Sequence, residues 1–233
     1  MAQTRSSENA DKLAAEIAAR IRLLSNLKTE DIRAVRREFS TRLSKATPRI
    51  VIDAALRLMD SQAIEHRFVA YELISKHPAA LASLGAKELE RFGRGIDSWG
   101  AVDMFACYLA GPAWREHQVP NKLIHSWAHS ENRWQRRAAL VSTVPLNNKA
   151  RGGSGDTLRT LEVCASLVGD RDDMVVKALS WALRELSKRD PEAVDQFLDE
   201  HQSELATRVV REVRNKLSTG LKNPRLRRAG RVR

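Results

Sequence analysis

A tryptophan and an aspartate four residues apart, Trp99 and Asp103, stand out within the segment 96–111, IDSWGAVDMFACYLAG. Residues at this spacing lie on the same face of an α-helix. The rest of the segment is apolar nearly all round, which is typical of a helix covered on most sides. A carboxylate buried there without a partner would destabilise the fold or stay protonated. Asp103 therefore either pairs with an arginine of a neighbouring helix or lines a cleft where its charge is used.

The elements that must position this pair are all predicted to be helices. Apolar side chains recur at helical spacing, as Leu13, Ile17 and Ile21 do. Proline or aspartate stands near several helix starts, and the chain has neither a convincing alternating apolar run nor a hairpin dipeptide. We therefore predict an all-α fold. The expected helices cover 10–26, a stretch from Thr29 through Phe39, 48–60, 63–76, 86–92, 98–110, 120–128, 131–145, 156–168, 172–189, 191–200 and 203–218.

Internal similarity indicates how these helices are arranged. RWQRRAAL at 133–140 aligns with DMVVKALS at 173–180 at a shift of 40 residues, and EHRFVAYEL at 65–73 has a related pattern. A repeat of this length in an all-helical chain is typical of HEAT-like helix pairs. We predict one domain over 1–220, a HEAT-like or ARM-like solenoid of antiparallel helix pairs with a basic concave face. An irregular helical bundle remains the alternative.

The charge of the chain indicates its partner. The formal net charge is +11, and the segment 222–233 contains six basic residues and no acid. We predict that 221–233 is a basic, disordered tail, but the rest of the chain is basic too. A basic body favours a polyanion, most simply nucleic acid, although charge alone is also compatible with a basic protein that has no such partner.

Other features restrict the class of protein. No apolar run approaches the length that spans a bilayer, and the N-terminus lacks the apolar core of a signal peptide. Cys107 and Cys164 have no metal-type spacing and are predicted to be buried, reduced thiols of a cytoplasmic protein. Of the five tryptophans, we assign Trp114, Trp127 and Trp134 to the core. Trp181 is less clear, because its helix has enough other apolar residues for an inward face.

Three blocks of the sequence resemble the AlkD-like DNA alkylation-repair glycosylases over about residues 30–218. The blocks are DSWGAVD (97–103), RWQRRAAL (133–140) and VVKALSWALRELSKRDP (175–191). This family is built of HEAT-like repeats and removes positively charged N3- and N7-alkylated purines from DNA. The resemblance implies a monofunctional glycosylase that acts on duplex DNA without a metal or an organic cofactor. We expect a monomer that is cytoplasmic, and nucleoid-associated when bound to DNA.

The resemblance also implies roles for particular residues. The catalytic aspartate falls on Asp103 and the two tryptophans of the cleft fall on Trp99 and Trp181. The phosphate-binding arginine falls on Arg137. Further DNA-binding candidates are Arg136, Arg184 and Lys177. The sequence departs from the family at Gly100, where a second acid often stands.

The chemistry of the reaction fits these roles. An alkylated purine already carries positive charge, so what an enzyme must stabilise is the oxocarbenium-like sugar that forms as the base leaves. A carboxylate in a cleft of low dielectric stabilises this cation and orients the attacking water. Aromatic faces add cation–π attraction. Two other functions remain open: a non-catalytic HEAT-repeat DNA-binding protein, and a protein-interaction scaffold.

Two further patterns are given structural interpretations. His125 and His129 have a spacing that can hold zinc, but Ser126 stands where the metalloprotease motif requires glutamate. The glycine-rich segment 150–160 precedes a helix, but it lacks the Lys-Ser/Thr pair of a P-loop and no strand leads into it. We interpret it as a flexible inter-repeat loop in which Arg151 is placed to touch phosphate. No metal site is predicted.

Overall fold

The computed structural model describes residues 2–61 and 63–224, with side chains from Asn9 onward. The structure is 72% helical and none of the described residues forms a β-strand, which confirms the all-α prediction. The chain divides into two compact units, Met1–Ser126 and Trp127–Arg233. The single domain over 1–220, the solenoid and the basic concave face stay predictions.

The first unit begins with a layer of long helices. Helix α3 packs against α1 and α4, while α4 also packs against α2 and the helix that contains Trp99. Their apolar faces supply the core of the unit, with side chains such as Phe39, Tyr71 and Ile74 fully buried. The helices are α1 (Ala2–Arg22), α2 (Thr29–Leu43), α3 (Pro48–Met59), α4 (Ile64–Ser75), α5 (Pro78–Ala82), α6 (Ala86–Gly93), α7 (Trp99–Phe105), a π-helical segment (Ala106–Ala110), α8 (Gly111–Arg115) and α9 (Asn121–Ala128), within which the boundary falls.

In the second unit, α13 is the central helix. It packs against α10, α12 and α15, and its buried residues run along most of its length. The helices are α10 (Arg133–Ser142), α11 (Val144–Asn147), a 3₁₀ turn (Lys149–Arg151), α12 (Thr157–Ala165), α13 (Asp173–Leu186), α14 (Pro191–Glu200) and α15 (Thr207–Thr219). Asp156 and Asp172, predicted as caps, accept the backbone N–H groups of Arg159 and Met174. Pro191 occupies the first turn of α14, as expected.

Several helix boundaries differ from the prediction. The predicted helix 131–145 ends at Ser142, because Pro145 has no N–H with which to continue the helical hydrogen bonds. The helix predicted over 203–218 begins only at Thr207. No helix was expected between 63–76 and 86–92, yet α5 lies there. Pro78 opens that helix, and the His77 ring accepts the N–H of Ala80 at 3.0 Å.

The core assignments of the tryptophans are confirmed for two of three. Trp114 is fully buried and Trp127 is 8% exposed. The assignment of Trp134 to the core is wrong. Its side chain is partly exposed, and the Arg133 guanidinium lies 4.9 Å from its ring centroid. Stacking beneath a guanidinium lets an indole remain at the surface.

Cys107 and Cys164 are buried and free of disulfide bonds, as predicted. Of the predicted disordered tail, residues 225–233 lie outside the described part of the chain. Before them, Lys222 forms an ion pair with Glu212, with Nζ 3.3 Å from Oε2.

Candidate active site

Trp99 and Asp103 lie on α7, near the start of an unbroken helical stretch from Trp99 to Arg115. Trp99 is the first residue of the helix and is 61% exposed, which is unusual for so large an apolar side chain. Asp103, one turn later on the same face, is partly exposed. Val102 and Phe105 are buried, with 0% and 2% exposed. The helix thus buries one face and presents an indole beside a carboxylate on another.

The start of α7 is fixed by two side chains of α4. Arg67 donates from Nη2 to the carbonyl oxygens of Arg94 and Gly95, at 3.1 and 3.3 Å. Tyr71 donates its hydroxyl to the Phe92 carbonyl at 2.8 Å. These bonds hold the end of α6 and the turn that leads into Trp99.

Tyr71 is fully buried. Burial raises the pKa of the Tyr71 hydroxyl to about 12, because the phenolate would lose its solvation. The neutral hydroxyl is the form that donates to Phe92, so the support beneath α7 is kept throughout the physiological pH range.

After Asp103 the helix widens for one turn. The segment Ala106–Ala110 is π-helical, and the Gly111 N–H donates to the carbonyl of Ala106, five residues back. Pro112 explains this, because it has no N–H and its ring would clash with a carbonyl four residues earlier. Single π-helical turns of this kind are frequent at functional sites.

Helix α2 also supports this region through α4. The Glu72 carboxylate, 4% exposed, accepts from Nε of both Arg33 and Arg36, each at 3.0 Å. The hydrogen bond to Glu72 is the main reason that the pKa of Arg33 is raised, and Tyr108 of the π-helical segment contributes as well. The two arginines therefore tie α2 to the helices that carry the candidate site.

In the second unit, the predicted residues of α13 follow one face of the helix. Lys177, Trp181 and Arg184 are spaced by four and three residues, so they lie in one row. Lys177 is exposed and its Nζ lies 2.6 Å from Oδ2 of Asp173. Trp181 is partly exposed.

The environment of Arg184 is more enclosed than that of Lys177. Its Nε donates to the Ser180 hydroxyl at 3.2 Å, and burial lowers the pKa of its guanidinium, with Glu212 and Glu185 acting in the opposite direction.

The two predicted arginines of α10 bind protein groups. Arg137 is 6% exposed and donates from Nη1 to the carbonyl of Met174, at the start of α13. Arg136 forms an ion pair with Asp170 at 2.7 Å, and its Nη1 donates to the carbonyls of Ser130 and Glu131. In the structure these two guanidiniums hold the ends of neighbouring elements together.

The structure thus brings some of the predicted residues together. Trp99 and Asp103 are neighbours in the first unit, whereas Trp181 and the predicted basic residues form their own groups in the second. The placement of Trp181 in one cleft with Asp103 stays a prediction. The positioning roles of Arg67 and Tyr71 were not predicted from the sequence. The one signal was that Arg67 occupies the basic position of the repeat-like segment 65–73.

The glycine-rich segment packs against α11 at Gly153, and its flexibility stays a prediction. Gly153 is buried, and a Cβ added there would lie 2.5 Å from the carbonyl oxygen of Pro145. Arg189 donates to the carbonyls of Asn147 and Gly153, both at 2.8 Å. Glycine is needed because the backbone of the loop touches α11.

No group of three or more potential metal ligands occurs within 2–61 and 63–224.

The described helices thus present a 61% exposed indole and a partly exposed carboxylate one turn apart on α7. The chain belongs to the family of DNA alkylation repair enzymes, whose family model matches residues 1–217. This confirms the resemblance found in the sequence. No curated protein matches the chain at a significant level. None of the helices described is both long and apolar enough to cross a membrane.

Proposed function

We propose that this protein is a DNA glycosylase that excises positively charged N3- and N7-alkylated purines from duplex DNA. The observation that carries the proposal is the pair on α7, a 61% exposed Trp99 next to a partly exposed Asp103, in a member of the DNA alkylation repair family. The exposed ring of Trp99 is open to a cationic base or sugar, which its face would attract through a cation–π interaction.

In the proposed reaction, the bond between C1′ of the sugar and the purine nitrogen breaks, and the base takes both bonding electrons. Because the alkylated purine began with a positive charge, it leaves neutral without needing a proton. The Asp103 carboxylate stabilises the oxocarbenium-like sugar and orients a water molecule. That water adds its hydroxyl to C1′ and gives its proton to the Asp103 carboxylate, which passes it to solvent. Trp99 attracts the cationic base through its ring face.

The second unit supplies the rest of the proposed DNA interface. Lys177 and Arg184 lie in the same row as Trp181, which supports a role in holding the backbone beside this second indole. Arg136 and Arg137 already bind protein groups, so a phosphate contact from either would be made beside those bonds. A HEAT-like stacking of the helices belongs to the same proposal. The neighbours α1 with α3 and α2 with α4 support it in the first unit.

The test is release of 7-methylguanine from methylated duplex DNA, with unmethylated duplex as the substrate control. Asp103→Asn should lower the single-turnover rate by about 100- to 1,000-fold, the usual effect of removing one electrostatic group from such a site. Asp97→Asn is the matched control, because Asp97 is an exposed acid just before α7 and its loss changes the net charge equally. Duplex affinity of both variants should stay close to wild type.

The outcomes separate the three functions. Full release by Asp103→Asn would refute the catalytic role of this carboxylate. A wild-type protein that binds duplex DNA but releases no base would be a non-catalytic DNA-binding protein. A wild-type protein without salt-dependent affinity for DNA would favour the interaction scaffold, because phosphate contacts dominate DNA binding by basic proteins.

A further inference from the structure

A cavity of about 250 Å³ lies in the first unit where α3 and α6 end and α4 begins. Four arginines line it: one from α3, one from α4, one from the last turn of α6 and one that directly follows α6. They are Arg57, Arg67, Arg91 and Arg94, with Asp60 and Gly95 also in the lining. We call these residues the arginine pocket. None of the proposed roles above uses its cations for binding a ligand.

The cations of the arginine pocket are poorly neutralised. Arg67 is 5% exposed, and its hydrogen bonds go to the carbonyls of Arg94 and Gly95 and to the Tyr71 hydroxyl, not to a carboxylate. Arg91 and Arg94 are exposed and form no ion pair with any residue of the described ranges. A buried cation without a counter-ion is costly in a folded protein. The pocket therefore favours an anion.

Among the described residues, one arginine of the pocket has a carboxylate partner in contact. Arg57 forms an ion pair with Asp11 of α1, with Nε 2.6 Å from Oδ1. The carboxylate of Asp60 is part of the lining but forms no ion pair within the described part of the chain. Cations thus outnumber acids around the cavity even when both acids are counted.

The chemistry of the lining selects a phosphate group. Guanidinium groups present planar, paired N–H donors that match phosphate oxygens. The volume is several times the share of one water molecule in the liquid, about 30 Å³, so a phosphate and its remaining waters fit. Inorganic phosphate and a phosphodiester present the same oxygens.

The position of the pocket favours the phosphodiester. Gly95 of the lining is four residues before Trp99, so at most about 14 Å of chain separates them. Duplex DNA rises about 3.4 Å per nucleotide along each strand, so a duplex at Trp99 has several phosphates within this reach. We propose that the arginine pocket binds a backbone phosphate of the DNA strand near the damaged nucleotide. This rests on the proposed function.

The experiment measures the affinity for an unmethylated duplex by fluorescence anisotropy at several NaCl concentrations. Arg91→Ala/Arg94→Ala removes two exposed pocket cations and leaves the buried Arg67 in place. Lys12→Ala/Lys45→Ala is the matched control, because both lysines are exposed, lie outside the pocket, and remove the same net charge. The pocket variant should bind the duplex about tenfold more weakly at low salt. The plot of log K against log salt, which has a negative slope, should become less steep by about one. The control should keep the wild-type slope.

A second arm replaces chloride by inorganic phosphate at constant ionic strength and follows the melting temperature. Stabilisation of wild type that the pocket variant lacks, together with an unchanged slope for DNA, would assign the pocket to free phosphate and overturn the inference. Equal slopes in all three proteins without such stabilisation would overturn it as well. Failure of wild type itself to bind DNA would show that the proposed function is wrong, which is a different result.

Discussion

Two glycines beside the candidate site should respond in opposite directions to replacement by alanine. Gly95 has a φ of +66°, in the left-handed region, and a Cβ there would lie 3.4 Å from Nη2 of Arg67. Left-handed backbone costs an alanine about 1–2 kcal/mol. Gly100 is helical, and a Cβ there would meet nothing within 4 Å. Alanine in a helix is better than glycine by about 0.5–1 kcal/mol, and the position of Gly100 near the helix start favours the lower value.

Thermal unfolding followed by far-UV circular dichroism checks both variants. For a chain of this size about 1 kcal/mol moves the melting temperature by about 2–4 °C. Gly95→Ala should therefore lower the melting temperature by roughly 2–8 °C, while Gly100→Ala should raise it by roughly 1–4 °C. A Gly95→Ala protein as stable as wild type would contradict this expectation, because the turn before Trp99 would then not need left-handed backbone.

Two further predictions concern α4. The pKa of Tyr71 is raised to about 12, so its contribution to stability is complete below pH 10 and is lost as the pH rises from 10 to 12. Tyr71→Phe should unfold in urea with less dependence on pH across that interval, and an unchanged dependence would contradict the assignment. Glu72→Gln should lower the free energy of unfolding by about 1–3 kcal/mol, because Arg33 and Arg36 lose their shared carboxylate while solvent screens the partly exposed Arg33. A urea midpoint equal to that of wild type would show that the pair contributes nothing.

Much of the fold could be predicted because the signals that specify a helix lie within the helix or next to it in the sequence. Apolar spacing, prolines in first turns and aspartate caps depend on neighbours in the sequence, so ranges such as 48–60 and 191–200 came within a residue of the structure. The π-helical turn at Ala106–Ala110 was not predicted. It forms because the ring of Pro112 would clash with the carbonyl group four residues earlier. Trp134 was misassigned because its exposure depends on the Arg133 guanidinium above its ring.

The residues of the candidate site also differ in how far they could be predicted from the sequence. Trp99 and Asp103 could be found from their spacing and from the family blocks, since both are local patterns. The contacts of Arg67 could not, because they join residues that are 27 and 28 positions apart. The same limit applies to the arginine pocket, which gathers side chains from three helices.

Helix α4 connects the arginine pocket with the turn that leads into Trp99. Arg67 holds the carbonyl groups of Arg94 and Gly95 that lead into Trp99, and it also lines the arginine pocket. A phosphate bound in the pocket would neutralise the same guanidinium that positions the turn before the indole. Because that guanidinium is buried and has no carboxylate partner within the described residues, neutralisation would stabilise the turn as well as the bound strand. Binding of the backbone and placement of Trp99 are therefore expected to be coupled through one side chain.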